Sequence, residues 1–185
     1  MQRRIHLVES RIGAEQLEGL FNDRMLRQSS IASICVLDGD HSTKLDNNII
    51  ALPGGVSPEW VAFNYAQLIS TDGSNPFWND SQIESEGFSH EWYMSEISRK
   101  IDGFDASNSS EREKVKRFFN KNIIFFRYIL KAWILDEANE AEVSKFAESL
   151  SKVYRKAASY HGIDIPRNTT FQLDSESFRC IDGIQ

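Results

Sequence analysis

An apolar run, an amphipathic stretch and a second apolar run open the chain in close succession, and that order constrains the fold most. Residues 5–8 are apolar and end in Glu9 and Ser10. Residues 14–25 follow the Gly13 turn with Leu17, Leu20 and Phe21 at helical spacing, which makes one face apolar. Residues 31–37 (IASICVL) form the second apolar run. Strand, helix, strand predicts a βαβ unit, whose strands lie parallel with a right-handed crossover. Open parallel sheets gather functional groups at the carboxyl ends of their strands. Glu9 stands at the end of the first run and Asp38 at the end of the second.

The second run delivers two acids, Asp38 and Asp40, separated by Gly39 alone. In a continuing strand, side chains alternate faces, so both carboxylates point the same way. Like charges so placed repel unless water, a basic group or a cation stands between them. An Asp-Gly pair is also a turn former. The segment therefore reads either as an acidic turn or as a divalent-metal site, and Glu9 at a neighbouring strand end favours the metal.

Residues 48–52 predict a third short strand, followed by a tight turn at Pro53, Gly54 and Gly55. A helix is expected from Glu59 to residue 69, with Ser57 as its cap, Pro58 in the first position and Glu59 at the positive end. Val61, Tyr65 and Leu68 are its expected buried face. Residues 70–92 are turn-rich, with Phe77, Trp78 and Trp92 as aromatic anchors, and residues 102–110 are the expected boundary. Ser110 and Glu113 have capping-box spacing before a helix to about residue 135, and Asn139 and Glu142 repeat it before another to about residue 160. The tail after Gly162 is expected as loop or a short edge strand. The pattern predicts an α/β fold: a mostly parallel sheet flanked by helices over residues 1–103, then an antiparallel helical pair with an irregular tail over 104–185.

The 185 residues are 41% hydrophobic and 26% charged, an ordinary globular balance. A net charge of −6 excludes a global basic field that would hold nucleic acid, so such contact needs a local basic patch working with metal ions, or a partner chain. The densest basic stretch holds Arg112, Lys114, Lys116, Arg117, Lys121, Arg127 and Lys131, and Lys114, Arg117 and Lys121 fall on one helical face. His41 follows the Asp-Gly-Asp directly. Cys35 and Cys180 make no disulfide framework, which predicts a reducing compartment, the cytoplasm. The opening MQRRIHLVES lacks a signal peptide's apolar core, and no apolar run is long enough to predict a membrane span.

Glu9 in HLVES, LDGD at 37–40 and LPGGVSPE at 52–59 together resemble the Toprim domain of overcoming-lysogenization-defect (OLD) nucleases and related ATPase-linked anti-phage proteins. The later EREKVKRFFNKN and EVSKFAESL are similar to the helical tail of those proteins, so the resemblance runs along most of the chain in order. It implies a Mg²⁺- or Mn²⁺-dependent endonuclease acting on DNA. Asp38 and Asp40 are then metal ligands, Glu9 a ligand or general base, and Glu59 part of a second metal position. Lys121 or Lys116 is the implied phosphate-binding lysine, and Lys114, Lys116, Arg117 and Lys121 are the expected nucleic-acid contacts. Carboxylates suit Mg²⁺, and two cations about 3.5 to 4 Å apart stabilise the attacking and leaving oxygens of phosphodiester hydrolysis. The family also implies an ATPase domain or subunit and an oligomeric assembly; no G-x-x-x-x-G-K-[ST] occurs in this sequence.

Two features set the chain apart. Ser10 and Gly13 stand where the family often carries a companion acid after the glutamate, and residues 10–37 leave room for one helix only. A degenerate Toprim module that binds a partner or nucleic acid without cutting is the second reading. A third comes from DGDHS, which also fits the D-x-D-x-[ST] nucleophile motif of haloacid-dehalogenase-like phosphatases, with Asp38 attacking and Asp40 as acid/base. That motif ordinarily lies on a domain's first strand, whereas residues 5–8 precede it here.

Overall fold

A computed structural model describes residues 8, 12–23, 33–100, 108–165, 170–174 and 177–181. In chain order these form α1 (Ala14–Asn22), β1 (Cys35–Leu37), β2 (Ile49–Ala51), α2 (Pro58–Ser70), α3 (Ser81–Ser85), α4 (His90–Lys100), α5 (Ser109–Lys121), α6 (Ile123–Leu135), α7 (Glu140–Tyr160), β3 (Thr170–Asp174) and β4 (Ser177–Ile181). The architecture is α/β, mostly helical, with a small two-stranded parallel sheet. The chain divides into two compact units, one of Met1–Leu37, His41–Ala51 and Ser144–Gln185, the other of Asp38–Asp40 and Leu52–Val143. The first-run strand expected at 5–8, Glu9, and the boundary expected at 103/104 lie outside the described residues, apart from Val8, which is exposed.

In the first unit, β1 and β2 pair in parallel, Cys35 with Ile49, Val36 with Ile50 and Leu37 with Ala51. Cys35 and Leu37 turn inward and Val36 outward, the alternation a half-buried strand requires. Phe21, Cys35, Leu37 and Ile49 make a small core, with Ala14 and Leu17 of α1 packed on it. Asn48 leads into β2 with φ +56°, a left-handed conformation that asparagine tolerates. Residues 170–174 and 177–181 form an antiparallel hairpin in register Thr170 with Ile181.

The second unit is built around rings. Trp60, Phe63, Trp78, Tyr93, Phe118, Phe119, Phe125 and Ile129 are buried together, so α2, α4, α5 and α6 share one core. Phe125 is fully buried, stacked on Trp78 and Phe119 and edge-on to Trp92. α2 packs against both α5 and α6.

Five local expectations change. The helix expected from residue 110 to 135 is two helices. Asn122 adopts φ −119° and ψ 52° and donates its side-chain N–H to Phe118 O at 2.9 Å. The apolar spacing continues through the break, which is why periodicity alone does not reveal it. Helix α5 is capped by Asn108, whose side chain accepts from Ser110 N–H, so Ser110 is already helical. Ser57 sits before α2 but makes no side-chain capping bond, and Leu68 is 63% exposed. Leu68 shares an outward row with Asn64, whereas Trp60, Val61, Phe63, Ala66 and Ile69 fill the buried surface. Glu142 does not close a box with Asn139: its carboxylate accepts from Gly54 N–H at 2.9 Å, while Asn139 donates to Trp133 O. Among the described residues no helix is long and apolar enough to cross a membrane.

Candidate functional site

Strand β1 ends at Leu37, and Gly39 and Asp40 already belong to a turn. The two acids therefore flank a turn rather than standing two apart on a strand, and both are exposed. The turn is seated against the LPGGV segment. A Cβ added to Gly39 would lie 2.6 Å from Val56 O and 2.9 Å from Leu52 O, so only glycine allows this approach. LPGGV is itself specified by glycine: Gly54 and Gly55 have φ +102° and +70°. A side chain on Gly54 would also meet Val61 Cγ2 at 2.4 Å. Glu142 holds this loop from the first turn of α7 through its bond to Gly54 N–H. The two motifs that are distant in sequence, LDGD and LPGG, thus form one backbone cradle with Asp38 and Asp40 on its open side.

Basic charge reaches this cradle from α5. Arg112 Nη2 stands 3.9 Å from Asp40 Oδ2, with about half of each side chain exposed (53% and 46%). In the sequence Arg112 is one of seven bases in the basic stretch, with no role of its own. Its helical row, with Lys116 one turn on, and Asn108 as the cap that fixes the row's start, are the signals that single it out. Lys114 is engaged elsewhere: its ammonium donates to Glu111 Oε1 at 2.8 Å. Glu111 is only 8% exposed, and its Oε2 has no hydrogen-bond partner. Lys116, Arg117 and Lys121 are exposed, and Lys121 ends α5, where a cation also complements the helix dipole.

Glu59 lies half-buried in the first turn of α2. It does not join Asp38 and Asp40 in a cluster, because among the described residues no three His, Cys, Asp or Glu side chains are grouped to hold a metal ion. Asp38 and Asp40 alone still suit Mg²⁺, which commonly takes one or two carboxylates and completes its octahedron with water and substrate phosphate. Both carboxylates are exposed on either side of the Gly39 contact. Cys35 offers no alternative nucleophile. It is buried as a free thiol, and burial pushes its pKa up to about 11, so it stays protonated near neutrality.

No family model matches the chain, and searches of curated proteins and of solved structures returned no match.

Proposed function

We propose that the chain is a Toprim-type, Mg²⁺- or Mn²⁺-dependent endonuclease domain that cleaves phosphodiester bonds, with DNA as substrate. The observation that carries the reading is the cradle: Asp38 and Asp40 exposed on either side of the Gly39 contact with the LPGGV segment, with Arg112 of α5 beside Asp40. When bound, the cation supplies Lewis-acid polarisation of the phosphate and lowers the pKa of its water. The chain's own residues do the rest. Asp38 and Asp40 present oxygen donors on either side of the Gly39 contact. Lys116, Arg117 and Lys121 give the outer face of α5 the positive charge that tracks a phosphate backbone. Glu9 is proposed as a further ligand or as the base that orients water. A cytoplasmic role in anti-phage defence, coupled to an ATPase domain or subunit in an oligomer, completes the proposal and rests on the family resemblance alone.

Incubation of plasmid, tRNA and oligonucleotides with Mn²⁺ or Mg²⁺ tests it and identifies the substrate: plasmid and DNA oligonucleotides are cut, and chelation stops the reaction. A second reading, a degenerate module that binds without cutting, is favoured by the lack of a three-acid group among the described residues. It predicts retained nucleic-acid binding with no cleavage under any divalent cation.

A further inference from the structure

We draw no further inference here: the strongest candidate, the exposed face of α6 where Ile123, Ile124, Ile134 and Leu135 flank Arg127 and Lys131, carries nothing because nothing in the structure shows what covers it.

Discussion

At the scale of single residues, Gly39 decides whether two acids can share one cradle. Any side chain there must push Val56 O and Leu52 O back from contacts of 2.6 and 2.9 Å, and backbone atoms yield poorly. Gly39→Ala is expected to cost about 1–3 kcal/mol, the usual range for overpacking a tight contact, measurable as a lower urea midpoint at unchanged slope. A midpoint equal to wild type would mean the approach is looser than described. The sequence made Asp38, Gly39 and Asp40 conspicuous, and it is their chemistry that did so. What it hid was the reason for the glycine, because the close contact is with carbonyls of residues 52 and 56, and no local pattern announces a long-range backbone approach. Arg112 was hidden for a related reason. Seven bases lie between residues 112 and 131, and only the helix cap and the break at Asn122 determine which of them faces Asp40.

At the scale of elements, the LPGG loop and the start of α7 form a coupled pair. Gly54 N–H has a carboxylate acceptor in Glu142, 88 positions away, and Gly54 itself is held at φ +102°. Glu142→Ala removes the acceptor and is expected to destabilise by about 1–2 kcal/mol, whereas Glu142→Gln retains an amide oxygen and loses less. Thermal melts of the two variants check this. Equal losses would show that charge, not the hydrogen bond, matters there. If the loop supports Asp38 and Asp40 as described, Glu142→Ala also weakens Mn²⁺ binding. Element existence was legible in part: α2 and α7 begin within a residue or so of their expected starts, and β1 and β2 fall inside the expected apolar runs, whereas α3 and α4 have no expected counterpart. Capping was less so. Ser57, Ser110 and Asn139 all carry suitable side chains, yet Asn108 takes the Ser110 position's role and Glu142 is drawn away by a distant N–H. Cap signatures describe what a side chain can bond, and tertiary partners decide what it does bond.

At the scale of the whole molecule, each unit has its own core, and the second depends on aromatic packing more than on regular sheet. Phe125 is the ring most of the others touch, with contacts to Phe77, Trp78, Phe88, Trp92, Tyr93, Phe118 and Phe119. Phe125→Ala should cost about 3–5 kcal/mol and broaden near-ultraviolet circular dichroism, since the cavity cannot close without moving three helices. A loss under 1 kcal/mol would contradict so central a place. That Phe125 gathers Trp78 from a turn-rich region was not legible. Irregular segments have no period from which their partners can be read. Asp38 and Asp40 are proposed as a cation site that cuts nucleic acid. The most direct measurement is Mn²⁺-dependent cleavage of supercoiled plasmid by wild type and by Asp38→Ala of matched purity and melting temperature. The account predicts robust cutting by wild type and at least a hundred-fold loss in the variant, by analogy with the cost of removing a principal electrostatic group. Equal cleavage by both proteins would contradict it.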